Sequence, residues 1–264
     1  MKHAAHTWHH GLVARWWAEF NRDGDDIEFF RQAILRSGEP ALDAGCGTGR
    51  LLLPFLRAGM DVEGADAAAD MLHWCRVLAE REGLAVTLHE QPMHALELPR
   101  RYQTVIVCGA FGLGGTREDD LEGLRRIRGH LLPGGRLFLD HHLPNFDRRG
   151  WAAWAEQTEF PRPWSKRGDH RKTPEGFEMA LRMRQLELDP LEQTTLLEIR
   201  AARLENGVEV EAETHTIRIV LYLKNEVELM LKMAGFASVK VTGGLEDRPA
   251  EPWRDERILF EAST

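Results

Sequence analysis

The stretch Leu42-Asp43-Ala44-Gly45-Cys46-Gly47-Thr48-Gly49-Arg50 constrains this chain more than any other. Glycine stands at every second position. A short apolar run at residues 40–44 precedes the turn, and a helical pattern over 48–58 follows, with Leu51, Leu52, Phe55 and Leu56 on one side. Glycine permits a sharp turn and leaves no Cβ between the backbone and a ligand. The helix behind it points N–H groups and a positive dipole end at the turn, so an anionic group belongs there. Pro54 must sit in the first turns of that helix or bend it.

Around the turn, strand and helix patterns alternate. Residues 61–65, 85–89, 104–108 and 136–141 read as strands. Residues 68–82, carrying Met71, Leu72, Cys75 and Leu78, and residues 119–130 read as helices. Such alternation implies a parallel sheet covered on both faces. The first forty residues read as helical, with Trp16, Trp17 and Phe20 and then Ile27, Phe29, Phe30, Ile34 and Leu35 on an apolar stripe broken near 21–26. From about residue 143 the rhythm changes. Residues 151–164 are rich in aromatics and proline, and 177–188, 194–204 and 208–222 read as three long strands, with turns at Asp189-Pro190 and Asn206-Gly207. A helix at 225–234 and strands at 238–242 and 256–262 close the chain.

The formal net charge is -8. A chain that grips nucleic acid needs a basic face, so no nucleic-acid partner is expected. No apolar stretch is long enough to span a bilayer, and the His- and Trp-rich N-terminus has no signal-like apolar core, so neither membrane nor secretion is expected. Cys46, Cys75 and Cys108 are odd in number and lack C-x-x-C spacing, which fits a reduced cytoplasmic protein and speaks against a metal site.

The stretch Val62-Glu63-Gly64-Ala65-Asp66 adds a second element. Asp66 closes the second strand about 20 residues after the glycine turn, where an acid accepts hydrogen bonds from ribose hydroxyls. These two elements alone also suit a nicotinamide-dependent oxidoreductase. Three features point elsewhere: the spacing is G-x-G-x-G, the run Leu131-Leu132-Pro133-Gly134-Gly135-Arg136-Leu137 leads into the fifth strand, and the chain ends in helix, strand, loop and strand. With residues 43–50, 64–72, 131–139 and 234–239 carrying the match, the chain resembles the class I, Rossmann-like S-adenosylmethionine-dependent methyltransferases of small-molecule type.

The resemblance implies an α/β fold: a seven-stranded Rossmann-like methyltransferase sheet, mostly parallel with an antiparallel last strand, and an antiparallel β insertion after strand 5. Residues 1–142 would hold the N-terminal helices and cofactor-binding part. Residues 143–220 would form the insertion, serving as acceptor site, lid or oligomer contact, and 221–264 would complete the core. The implied cofactor is S-adenosylmethionine. Asp43, Gly45, Cys46, Gly47 and Gly49 would hold its methionine end, Asp66 its ribose, and Ala67 and Met71 would lie near the adenine. After the third strand such proteins often carry an Asp. Here Glu90-Gln91-Pro92-Met93 stands there, which leaves Gln91 and Met93 as adenine contacts. Gly109, with Ala110, would floor the active site.

Methyl transfer from a sulfonium needs positioning and exclusion of water, and a base only if the acceptor arrives protonated. His142 and His141 end the fifth strand and are the candidate catalytic bases, His142 being preferred because it sits further beyond the strand end; alternation sends them to different sides. Strand-end histidines also serve as hydrogen-bonded structural residues. Trp16, Phe111 and Trp164 are candidate substrate contacts, with core packing as the competing reading. Trp151, Trp154 and Phe160, and the basic run Arg162, Lys166, Arg167, Arg171 and Lys172, are further acceptor candidates; His3, His6, His9 and His10 read as a solvated terminus. The expected activity is transfer of a methyl group to N or O of a small-molecule acceptor by a monomer or homodimer. The alternative is a non-catalytic binder of the cofactor or its demethylated product that uses the insertion to recognise a partner.

Overall fold

A computed structural model describes residues 7–144, 148–155, 159–165 and 168–264. Strand β1 (Ala41–Ala44) is buried at all four positions, as a strand covered on both faces must be. Beside it lie β2 (Val62–Asp66), β3 (Leu88–Glu90), β4 (Tyr102–Val107) and β5 (Leu131–His142), all parallel, and then β11 (Arg257–Ser263) and β10 (Ser238–Gly243). The order is β10-β11-β5-β4-β1-β2-β3, and β11 runs antiparallel to both neighbours. This is the seven-stranded sheet expected.

Helices cover both faces. α2 (Asp26–Ser37), α3 (Leu52–Arg57) and α4 (Ala69–Arg81) bury Phe30, Ile34, Phe55 and Leu72 on one side. α5 (Arg117–His130) and α7 (Lys224–Met233) bury Leu124, Ile127, Val227 and Leu231 on the other. The helix after the glycine turn is shorter than the sequence pattern suggests. Regular helix starts at Leu52, and Pro54 falls in its first turn, where a missing N–H breaks no helical bond.

The insertion holds a short helix, α6 (Arg148–Ala155), and an antiparallel sheet of four strands: β6 (Asp169–Lys172), β7 (Glu178–Asp189), β8 (Thr194–Glu205) and β9 (Val208–Val220). Three of these match the expected long strands. β6 was not expected, because all four of its residues are exposed and show no apolar alternation.

Helix α1 (Gly11–Phe20) is the wedge between the two sheets. It packs on α4 and, on its other side, against Met179, Leu181, Ile199, Ala201 and Ile217 of the insertion sheet. Trp16 belongs to this packing. It is 5% exposed and its ring meets that of Phe20 at 4.6 Å, tilted by 60°, so it serves the seam and not a substrate pocket. A buried Trp cut to Ala typically costs about 3–5 kcal/mol. Trp16→Ala should therefore lower stability to denaturant by that order, and a change below about 1 kcal/mol would contradict its place in the seam.

Candidate active site

In an open α/β sheet the ligand crevice opens where the strand order reverses. Here that point lies between β1 and β4, so Gly45, after β1, faces Cys108, Gly109 and Ala110, after β4. Gly45 has φ +87°, and a Cβ on it would come within 2.4 Å of the Ala110 Cβ. The glycine is therefore demanded by backbone angle and by close approach of two strand ends. Gly45 and Cys46 N–H groups both donate to the Ala65 carbonyl, at 2.7 and 3.0 Å, which latches the turn to β2.

Asp66 is held by the same turn. Its Oδ2 accepts the Gly47 N–H and its Oδ1 the Ala68 N–H, each at 2.8 Å. Burial pushes its pKa up, and the amides pull it back. With amides at Gly47, Ala67 and Ala68 around it, the carboxylate keeps acceptor capacity for a further donor, as binding a sugar hydroxyl requires.

Two adjoining chambers run along this crevice and share Gly45 and Asp66. One chamber is lined by Asp43, Cys46, Gly47 and Met71, and reaches Gly109. The other is lined by Ala67, Gln91 and Met93. A third chamber lies beyond the ends of β4 and β5 and is lined by Phe111, His141, His142, Arg149, Val220 and Glu256. Gly109, Ala110 and Leu113 line both the second and the third, so the two meet at this rim.

Residues 41–135 match a family model described as a methyltransferase domain. A ubiquinone biosynthesis O-methyltransferase of Ruegeria pomeroyi is 31% identical over 154 residues, which are 58% of this chain and 57% of that protein. One of Roseobacter denitrificans is 41% identical over 78 residues, 30% of this chain and 29% of that protein. The chain thus spans little more than half of the first relative and less of the second. Solved structures align over nearly the whole length. An S-adenosylmethionine-dependent methyltransferase from Clostridium acetobutylicum has a TM-score of 0.70 at 14% identity, covering 96% of this chain and 97% of that one. The CcbJ methyltransferase of Streptomyces caelestis has a TM-score of 0.72 at 20% identity, covering 95% of each. CalS10 of Micromonospora echinaspora, an amino pentose methyltransferase with S-adenosylmethionine bound, has a TM-score of 0.63 at 21% identity, covering 90% of each.

The chain has the fold of the class I methyltransferases.

Within this methyltransferase fold most of the residues picked from sequence converge, but not all. Gly49 lies outside both crevice chambers. Its φ is +87°, and a Cβ there would meet Cys75 Sγ at 2.7 Å and Leu53 Cγ at 2.9 Å, so it serves packing. Gln91 lines the crevice, but its amide is engaged elsewhere: Oε1 accepts the Glu97 N–H at 2.7 Å and Nε2 donates to the Glu97 carbonyl at 3.3 Å. Met93 remains as the adenine-side candidate from this loop. Trp16 lines no chamber, and its neighbour Trp17 does. Trp164 also lies away from the chambers, under the Arg184 guanidinium at 4.5 Å. Trp151 is 49% exposed. Lys166 and Arg167, like His3 and His6, lie outside the described residues.

His9 is where sequence reading went astray, since a polar terminus offers no periodicity. The ring lines both crevice chambers and stands edge-on to Trp17 at 5.6 Å. Trp8 Nε1 donates to its Nε2 at 3.2 Å, so Nδ1 carries the proton shared with Thr7 Oγ1 at 2.6 Å. Burial, aided by His10, pushes its pKa down to about 4.

Behind the rim lies a network no motif announces. Arg50, next to the glycine turn, makes two bonds to Asp26, at 2.5 and 2.9 Å. Arg257 donates to Asp26 at 3.0 Å and, through Nε, to Asp140 at 2.7 Å. Asp140 in turn accepts the Gly109 N–H at 2.6 Å. Cys108 Sγ sits among them, 3.4 Å from Arg50 Nη2 and 3.6 Å from Asp140 Oδ2. Burial alone would raise Asp26, but the two guanidinium groups outweigh it and hold the pKa at about 2.

Asp43, 2% exposed, is pushed the other way. Burial raises its pKa to about 7 from 3.8; Arg50 opposes this, and Asp66 and Asp26 add to it. The folded chain then keeps a proton that the unfolded chain releases, so this group weakens folding as pH rises from about 4 to about 7. Asp43→Asn is expected to raise stability by about 2–4 kcal/mol near pH 8, with no gain near pH 4. Urea unfolding at the two pH values measures it; an equal effect at both would show that Asp43 is not raised.

Proposed function

We propose that this protein is an S-adenosylmethionine-dependent methyltransferase that moves a methyl group to N or O of a small-molecule acceptor. The observation that carries the reading is the shared rim: a crevice with a glycine turn and the Asp66 carboxylate opens at Gly109 and Ala110 into a separate chamber. A protein that only held the cofactor has no use for that second room. The similar proteins support the acceptor class, since they include ubiquinone biosynthesis O-methyltransferases and an amino pentose methyltransferase.

The residues fit the cofactor. Asp43 and the turn at Gly45, Cys46 and Gly47 would hold the methionine end, Asp66 the ribose, and Ala67 and Met93 the adenine, with Met71 alongside. When bound, S-adenosylmethionine supplies a methyl group on a sulfonium whose leaving group is a neutral thioether. The chain's own work is then to aim the acceptor and exclude water. His9 and Trp17 cover the crevice, and Phe111, stacked on Tyr222 at 5.2 Å, forms a rigid wall of the acceptor chamber. Residues 143–220 contribute Arg149, Ile219 and Val220 to the lining of that chamber, which supports an acceptor-binding role for the insertion.

Among the described residues no helix is long and apolar enough to cross a membrane, and Cys46, Cys75 and Cys108 are free thiols. With a net charge of -8, we take the protein to act in the cytoplasm on free small molecules, as a monomer or homodimer, and not on nucleic acid.

Transfer of labelled methyl from S-adenosylmethionine to a panel of amines, phenols and carboxylates tests the activity, and calorimetry with S-adenosylhomocysteine and NADH tests the site. Tight NADH binding with no response to S-adenosylhomocysteine would overturn the reading. Asp66→Ala should weaken S-adenosylhomocysteine binding by about 10- to 100-fold, because buried hydroxyls would lose a charged acceptor; an unaltered dissociation constant would remove Asp66 from the site.

A further inference from the structure

We propose that His141 is the general base of the acceptor chamber, and that the Tyr222 carbonyl fixes it in the tautomer a base needs. This rests on the methyltransferase reading and adds the identity and state of the proton acceptor.

His141 Nε2 lies 2.8 Å from the Tyr222 carbonyl oxygen. A carbonyl oxygen only accepts, so Nε2 must carry the hydrogen. In the neutral ring Nδ1 then holds the lone pair, and Nδ1 has no hydrogen-bond partner among the described residues. The residue is 8% exposed and lines the acceptor chamber next to the rim at Gly109. Nδ1 is thus the nitrogen left to serve that chamber. The surroundings keep the ring neutral: burial lowers the pKa below 6.5, the largest effect, while the bond to Tyr222 and the nearby Asp140 pull it back up. The other groups facing it are His142 on β5 and Glu226 on α7, with Glu256 and Arg149 across the chamber.

The anchor is itself fixed. The Tyr222 hydroxyl donates to Asp120 at 2.7 Å, its ring stacks on Phe111, and Arg117 lies over it at 5.5 Å. His142, by contrast, is exposed, stands across from Arg257 in the β5–β11 ladder, and has no partner among the described residues to choose its tautomer. Catalysis rewards a group whose orientation and protonation are set in advance.

In the step, a lone pair on the acceptor N or O forms the bond to the methyl carbon and the C–S bond electrons return to sulfur. The proton leaving that N or O is taken by His141 Nδ1, and the resulting imidazolium releases it to solvent.

Two measurements test this. Long-range proton–nitrogen correlation on histidine-labelled protein, with the His141 signals assigned by their loss in His141→Gln, needs no acceptor. It should show a protonated Nε2 and a bare Nδ1; the reverse tautomer would overturn the proposal. Glutamine can still donate to the Tyr222 carbonyl but cannot take a proton. With the acceptor methylated in the labelled-methyl panel, His141→Gln should lower kcat by about 100- to 1000-fold and leave the S-adenosylhomocysteine dissociation constant within about twofold. It should also abolish the fall in rate on the acid side, which His142→Gln retains. Full rate and an intact acid limb in His141→Gln would sink the base assignment while leaving the methyltransferase reading in place. Absence of S-adenosylhomocysteine binding in the wild-type protein would instead strike the reading on which it rests.

Discussion

The crevice depends on charge pairing within its own walls, where Arg50 lines one chamber and Asp140 the next. Asp26, Arg50, Arg257 and Asp140 come from α2, the glycine turn, β11 and β5, and they meet around Cys108. Two acids and two guanidinium groups balance, so none is buried with uncompensated charge. Breaking one partner of such a set is far worse than never having built it. The set also does geometric work. Asp140 aims the Gly109 amide, and Arg50 ties the turn that holds Asp66 to the same cluster. The floor of one chamber and the rim of the next therefore share a single framework.

How much of this was legible in the sequence depends on how local each feature is. The glycine turn, Asp66 and the alternating strands are read from neighbouring residues, and the structure has them in the expected order. The charged network is not local: positions 26, 50, 140 and 257 each look like an ordinary solvated charge until the sheet assembles. Trp16 and Trp17 were separable only by knowing which face of α1 meets the insertion sheet, since adjacent residues on a helix point about 100° apart. His9 and β6 escaped for a related reason. Neither carries an apolar period, and both are placed by what lies across from them.

The two histidines in the working clefts show a common logic. His9 accepts from an indole that can only donate, and His141 gives to a carbonyl that can only accept. In both rings the partner, not the histidine, decides where the hydrogen sits. Burial then keeps each ring neutral, by desolvation first in both cases. What a sequence shows as a histidine is thus either of two reagents, and only the opposing atom tells which.

The bond between His141 and the Tyr222 carbonyl also has a topological meaning. His141 stands where the chain leaves the core for the insertion, and Tyr222 where it comes back. The intervening segment is therefore a loop clasped at its neck, and lengthening or replacing a loop whose ends are pinned adds little entropic cost. Between the two clasp points the segment can vary in length and sequence while the sheet on either side keeps its register, provided the apolar face that receives α1 is kept.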